Sequence, residues 1–157
     1  MKTAVIYYSY EGNCALIAGL IKDALGSDLI ELQTTEDKKP QGFSKYLWGG
    51  SQVLMKKTPS LKPYTIDPEA YDLIIIGTPV WAASPSPALN TFLGEQRIRN
   101  KKIALFCCHA GGRGKVFDKI KAKLPDNTFV GEIDFINPKK QQRQGVIDKL
   151  NEWIKGL

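Results

Sequence analysis

The chain has 157 residues, 43% hydrophobic and 24% charged, a size and balance that suit a single domain over residues 1–157. No apolar run is long enough for a membrane span and no signal-peptide pattern opens the chain, so we expect a cytoplasmic protein that does not bind membranes. The net charge is +6, and residues 97–123 hold nine Lys and Arg against one Asp. Such a stretch can attract an acidic protein or an anionic ligand, but it is also typical of a solvated helix face, and we expect no nucleic-acid binding.

The first predicted elements are a buried strand and an amphipathic helix joined by a polar turn, residues 9–14 (SYEGNC). The strand is the β-branched and aromatic run 3–8. Apolar residues at helical spacing then predict a helix that stops at Gly26; they are Leu16, Ile17, Leu20, Ile21, Ala24 and Leu25. The first N–H groups of a helix have no partner within it, so the polar turn is either a phosphate site or an ordinary helix cap.

The three cysteines form neither a CxxC pair nor a metal-ligand spacing, and we expect no metal site. Cys107 and Cys108 are neighbours in a predicted strand and should pack on opposite sides of it. Cys14 lies at a helix start, where the helix dipole would favour its thiolate. The simpler interpretation is a small residue that fills a turn position.

Strands and helices alternate along the rest of the chain. Further strands are predicted at 28–32, 71–77, 102–108 and 128–135, and helices at 87–93, 115–124 and 146–154. This alternation predicts an α/β fold in which helices cover both faces of a parallel sheet. The long connection 34–70 should contain a partly helical, packed segment, because it carries Phe43, Tyr46, Leu47, Trp48, Val53, Leu54 and Met55.

Three turns should meet at the carboxyl ends of the strands, where ligands bind in such sheets. They are the polar turn, residues 78–86 with Trp81, and the glycine-rich residues 109–114. A phosphate turn, an aromatic loop and a loop with accessible N–H groups together predict a flat, phosphorylated, aromatic ligand.

On these motifs the sequence resembles the flavodoxin family over essentially its full length. YSYEGNC is similar to that family's FMN-phosphate loop, GTPVWAASPSPALNTFL to the loop and helix beside the flavin ring, and FCCHAGGRG to the second flavin-contacting loop. KYLWGGSQVLMKKTPSLKPY resembles the connection of a subset of small bacterial flavodoxins. The resemblance implies a flavodoxin-like three-layer sandwich, with a five-stranded parallel sheet of order 2-1-3-4-5. It also implies a monomeric carrier that holds FMN non-covalently and shuttles electrons between redox proteins.

The resemblance further implies which residues surround the cofactor. Around the phosphate it places Ser9, Tyr10, Glu11, Gly12, Asn13 and Cys14. Along the ring it places Thr78, Pro79, Val80, Trp81 and Ala82, with Trp81 covering one ring face. At the pyrimidine edge it places Cys108, His109, Ala110, Gly111 and Gly112.

Three features depart from the family's usual pattern. Glu11 and Cys14 stand where threonines are usual, so we expect Glu11 to offer its N–H while its carboxylate faces solvent. The loop after the third strand lacks a glycine between Trp81 and Pro85, which makes a peptide flip there costlier. The sequence pI is about 9.2, whereas the family's carriers are often acidic, so we expect acidic redox partners.

Two other functions compete with the carrier. One is an FMN-dependent NAD(P)H oxidoreductase, similar to a quinone reductase, whose nucleotide phosphates the cations around Arg113 and Lys115 could attract. The other is a nucleotide-binding module, because residues 110–115 partly match a Walker A loop. His109 replaces that loop's first glycine and Val116 its Ser or Thr, so triphosphate binding is not expected.

Overall fold

The computed structural model describes residues 1–35 and 58–157 of the chain. In the described residues, the strands are β1 (Thr3–Tyr8), β2 (Asp28–Leu32), β3 (Leu73–Trp81), β4 (Ser84–Pro85), β5 (Lys102–His109) and β6 (Thr128–Ile136). The α-helices are α1 (Asn13–Leu25), α2 (Pro87–Glu95), α3 (Val116–Lys123) and α4 (Arg143–Ile154). Short 3₁₀ helices span Pro68–Ala70 and Pro138–Lys140. The helical segment predicted within 34–70 lies largely outside the described residues.

The strands form one sheet in the order β2-β1-β3-β5-β6, and β4 pairs with the end of β3. All pairs are parallel except β3 with β4. If the short β4 is set aside, this is the predicted order of five strands. The fold predicted for the chain, a flavodoxin-like parallel sheet between helical layers, is confirmed.

The core has two halves, one on each face of the sheet. Helices α1 and α4 cover one face, where Ile17, Ile21, Val146 and Leu150 are buried. Helices α2 and α3 cover the other, where Leu89, Phe92 and Ile120 are buried. The central strands are apolar on both faces for this reason, as residues 73–76 show with no exposed surface at all.

The centre of the sheet leaves no room for a side chain at Gly77. A Cβ atom there would lie 2.0 Å from the ring of Phe106, its register partner on β5. The aromatic ring therefore occupies the space above β3, and the glycine is required for this packing.

No helix within the described parts of the chain is both long enough and apolar enough to cross a membrane.

Candidate functional site

A cavity opens at the edge of the sheet where β1, β3 and β5 end. It encloses about 470 Å³ of space not filled by atoms, including solvent at its mouth. Its lining residues are Ser9, Tyr10, Glu11, Asn13, Cys14, Pro79, Val80, Trp81, Cys108, His109, Ala110 and Asn137. The structure therefore brings the three turns singled out in the sequence to one place.

A glycine within the polar turn starts α1. Gly12 is the N-cap residue, with φ 94° and ψ −2°, a left-handed conformation that favours glycine. No side chain caps the helix at this residue. Instead Ala15 donates its backbone N–H to Ser9 Oγ at 3.1 Å. The N–H groups of Asn13 and Cys14 have no acceptor within the helix, so they and the positive end of the helix dipole face the turn.

Trp81 lies at the end of a strand, not in a loop. The prediction that residues 78–86 form a loop is wrong, because β3 continues to Trp81 and turns back at once into β4. The turn residues Ala82 and Ala83 have φ 50° and 57°, the left-handed pair of a two-residue hairpin. We call residues 80–85 the Trp81 hairpin. The indole meets Tyr8 and Tyr10 edge to face, with ring centroids 5.9 and 5.4 Å apart.

Two residues from the next loop and helix hold the Trp81 hairpin. Lys119 of α3 donates from Nζ to the Ala83 carbonyl at 3.1 Å and also bonds Ser84 Oγ. Gly114, at φ 52°, packs so closely that a Cβ would lie 2.6 Å from the Cβ of Ala83. The glycine-rich loop thus supports the hairpin as well as the cavity.

His109 ends β5 with a side chain that is only 5% exposed. Its Nε2 lies 2.6 Å from Asp134 Oδ2. The hydrogen bond from His109 lowers the pKa of the Asp134 carboxyl below its ordinary value, and the nearby cations Lys149 and Arg113 lower it further. Nδ1 of His109 is buried and has no hydrogen-bond partner within residues 1–35 and 58–157.

The three thiols are all buried and free. Cys107 packs in the α2–α3 half of the core and Cys108 in the α1–α4 half, which confirms that the two point to opposite sides of β5. Burial raises the pKa of the Cys14 thiol, and its hydrogen bond with Cys108 raises it further. Cys14 is therefore a neutral thiol in the cavity wall, and burial outweighs the helix dipole.

Five of the predicted site residues do not line the cavity. Thr78 is fully buried, and its hydroxyl donates to the Pro79 carbonyl and accepts from Ser86 N, so it braces the hairpin. Ala82 is an exposed turn residue, and Gly111 and Gly112 are exposed beyond the end of β5. Gly12 faces an adjoining groove lined by Gly12, Leu16, Pro138, Lys139, Gln141 and Arg143.

A fourth segment, which follows β6, also reaches the site and was not predicted from the sequence. Asn137 lines the cavity, and Lys139 contacts the polar turn. The signal was present, because β6 is parallel to β5 and must end at the same edge, and Asn137-Pro138 is a turn sequence. The sequence prediction placed only the turns after the first, third and fourth strands at the site.

Much of the basic stretch 97–123 is occupied within the protein. Arg99 pairs with Asp126 at 3.3 Å, Lys101 with Glu69 at 3.0 Å, and Lys121 with Glu132. Lys123 bonds Asn90 and Lys119 bonds the hairpin. The partners of these cations belong to several different elements, so the stretch does not form one uniform basic face.

The chemistry of the cavity fits the mononucleotide that the resemblance implies. The polar turn offers N–H groups, the Ser9 hydroxyl and the Asn13 amide at one end, as a phosphate requires. Tyr10, Pro79, Val80 and Trp81 form an apolar, aromatic wall beside them. Cys108, His109 and Ala110 complete the lining on the side where β5 ends.

Comparison with known proteins gives a consistent family and fold. A family model described as Flavodoxin matches residues 2–157. No curated protein matches the sequence significantly. A flavoprotein from Lactobacillus acidophilus NCFM, solved in complex with FMN, is 23% identical over 98% of each chain, with a TM-score of 0.75.

Two further solved structures share the fold at lower similarity. Oxidised flavodoxin 2 from Bacillus cereus is 20% identical over 99% of this chain and 97% of its own, with a TM-score of 0.60. A flavodoxin, WrbA-like protein from Agrobacterium tumefaciens is 13% identical over 99% of each chain, with a TM-score of 0.53. Because the family model spans almost every residue, the chain belongs to the flavodoxin family.

Proposed function

We propose that this protein binds FMN non-covalently and carries electrons between other redox proteins. The observation that supports the proposal most strongly is the meeting of the polar turn, the Trp81 hairpin and residues 108–110 around one cavity. Each segment is unremarkable alone, but together they offer an anion site, an aromatic wall and polar main chain in the order that the cofactor needs. When bound, FMN supplies the redox chemistry, and the chain binds, orients and tunes it.

The polar turn would hold the phosphate through neutral donors. The N–H groups of Asn13 and Cys14 and the hydroxyl of Ser9, whose oxygen already accepts from Ala15, can all donate to an anion. Asn13 accepts the backbone N–H of Lys139 through Oδ1, which leaves its amide N–H groups for the ligand. Glu11 is exposed, so its carboxylate can stay away from the phosphate.

The aromatic wall would hold the ring and disfavour extra negative charge on it. Trp81 is fixed by its edge-to-face contacts with Tyr8 and Tyr10 and by the hairpin behind it. Trp81 would be the residue beside the ring, and an electron-rich indole there would disfavour added negative charge on the cofactor. His109, oriented by Asp134, would lie beside the pyrimidine edge.

We propose a monomer that works in the cytoplasm and meets acidic redox partners. The net charge of +6 supports this choice of partner, because a basic protein attracts acidic surfaces and speeds their encounter.

An absorption spectrum of the purified protein tests the cofactor directly. We expect flavin bands that are released on denaturation and identified as FMN by chromatography. A protein that stays colourless and takes up no FMN on reconstitution would contradict the proposal.

Anaerobic mixing with NADPH separates the carrier from the oxidoreductase. We expect the flavin colour to persist until a flavin reductase is added. Rapid bleaching by NADPH alone would contradict the carrier function and would favour an FMN-dependent NAD(P)H oxidoreductase.

A further inference from the structure

Lys139 joins the end of β6 to the beginning of the chain. Its backbone N–H donates to Asn13 Oδ1 at 3.1 Å, and its Nζ donates to the Glu11 carbonyl at 2.8 Å. The two partners are 126 and 128 positions away and belong to the polar turn. Lys139 is thus the residue that connects the 3₁₀ helix Pro138–Lys140 to the proposed phosphate site.

The segment that carries Lys139 is well anchored. Asn137 takes a left-handed conformation at φ 40° and donates its N–H to the His109 carbonyl at 2.9 Å. Pro138 is buried, and Gln141 N closes the 3₁₀ turn on its carbonyl. The ammonium group is therefore held by an anchored segment after β6, in the groove that adjoins the cavity at the polar turn.

Within residues 1–35 and 58–157, the Lys139 ammonium forms no ion pair. Nζ lies 3.1 Å from the position that a Cβ on Gly12 would occupy. Within the described ranges, no carboxylate lies within 4.0 Å of it, and its one hydrogen-bond acceptor is the Glu11 carbonyl. An ammonium has three N–H donors, so two remain for a further acceptor.

The polar turn has no cationic side chain of its own to balance the charge of a phosphate. The helix start offers only partial charges, whereas a phosphate carries a full negative charge. The full positive charge of Lys139, beside the Glu11 carbonyl and Gly12, adds to these partial charges.

We propose that Lys139 is a phosphate-binding residue and that it makes the site select FMN over riboflavin. The proposal rests on the proposed function, since it concerns the phosphate end of the same cavity. The positive charge that balances the phosphate then comes from Lys139, which lies 126 positions after Asn13 of the polar turn.

Binding of FMN and riboflavin to the apoprotein, measured by quenching of flavin fluorescence, tests this. In Lys139→Met we expect the Kd for FMN to rise roughly tenfold or more, and the Kd for riboflavin to change less than about twofold. Lys139→Arg should keep most of the preference for FMN, because the charge remains. Raising the salt concentration should weaken FMN binding to the wild type more than to Lys139→Met.

Lys140→Met is the matched control, because Lys140 is the next residue of the same 3₁₀ helix and is also exposed. It should leave both constants unchanged. Thermal unfolding of each apoprotein shows whether the variants are folded.

Three results would overturn the inference. Equal weakening of FMN and riboflavin by Lys139→Met would mean that Lys139 only braces the turn. Unchanged FMN binding would remove it from the site, and a wild type that binds riboflavin as tightly as FMN would show no phosphate selection. Failure of the wild type to bind either flavin would instead overturn the proposed function, and this inference with it.

Discussion

Trp81 combines two constraints in one side chain: it ends a strand and it forms part of the cavity wall. Its neighbours Tyr8 and Tyr10 meet it at interplanar angles of 87° and 84°, so two T-shaped aromatic contacts hold the indole in place. The same side chain therefore supports the local packing and lines the cavity.

We predict that Trp81→Ala weakens FMN binding by about 2 kcal/mol, roughly 30-fold in Kd, because a stacked aromatic contact is lost. The potential of the reduced flavin should rise at the same time, since the electron-rich face is gone. Fluorescence titration and potentiometry measure the two effects. Trp81→Phe should lose much less of either, and an unchanged affinity and potential in Trp81→Ala would refute the stacking.

Asp134 gives a pH-dependent prediction. Its pKa is lowered in the folded protein, chiefly by the hydrogen bond from His109. Because the carboxyl pKa is lower in the folded protein, the carboxylate stabilises the fold at pH values above the ordinary aspartate pKa. This stabilisation is lost as the pH falls through the lowered pKa of the folded protein. The difference in unfolding free energy between wild type and Asp134→Asn should therefore shrink from pH 6 to pH 3. Denaturant titrations at several pH values measure it, and a difference that is independent of pH would exclude the pair as its source.

At the level of elements, the Trp81 hairpin uses alanines where glycine and asparagine are favoured. Ala82 and Ala83 at φ 50° and 57° each carry a steric cost of about 1 kcal/mol. The support from Lys119 and Gly114 compensates for this cost and keeps the turn in place.

The double variant Ala82→Asn, Ala83→Gly should raise the unfolding free energy by about 1 kcal/mol, since it supplies the residues that a two-residue turn prefers. The reverse effect is expected for Gly114→Ala, which would push a methyl group against Ala83 and displace the hairpin. Thermal unfolding measures both changes. Loss of stability in the double variant would mean that the alanine methyl groups contribute packing that outweighs the strain.

The elements also show which parts of the site could be predicted from the sequence. The polar turn and the end of β5 lie at abrupt changes from apolar to polar residues, and such boundaries are visible in a sequence. The hairpin was missed because no glycine or asparagine marks its turn, and left-handed alanines have no local signature. Asn137 and Lys139 were missed because their role depends on which strand ends lie side by side.

For the whole molecule, the sequence was a good guide because the sheet is buried on both faces. Short, continuous apolar runs such as residues 73–76 are typical of strands buried on both faces of a parallel sheet. Right-handed crossovers then limit the possible orders of the strands. The distribution of charge was less predictable. Cations close together in the stretch 97–123 turned out to pair with acidic residues from several other elements.

Two glycines test the packing of the whole core. Gly77→Ala should lower the unfolding free energy by about 1–3 kcal/mol, because its methyl group would overlap the ring of Phe106. Gly19→Ala is the control within α1, where a Cβ would meet no described atom outside its own helix backbone within 4 Å, and it should raise stability by about 0.5–1 kcal/mol. Chemical denaturation measures both, and a neutral Gly77→Ala would mean that Phe106 can turn aside.

The bonds from Lys139 to Glu11 and Asn13 also fix an order of events during synthesis. The polar turn leaves the ribosome early, but the residue that completes it follows 126 positions later, after most of the sheet has been made. A nascent chain therefore cannot present the finished cavity, whatever its first strand and helix have done. A ligand that binds only the completed fold stabilises only that fold. A cofactor in this cavity would therefore raise the stability of the folded protein, and it would not guide the folding of the nascent chain.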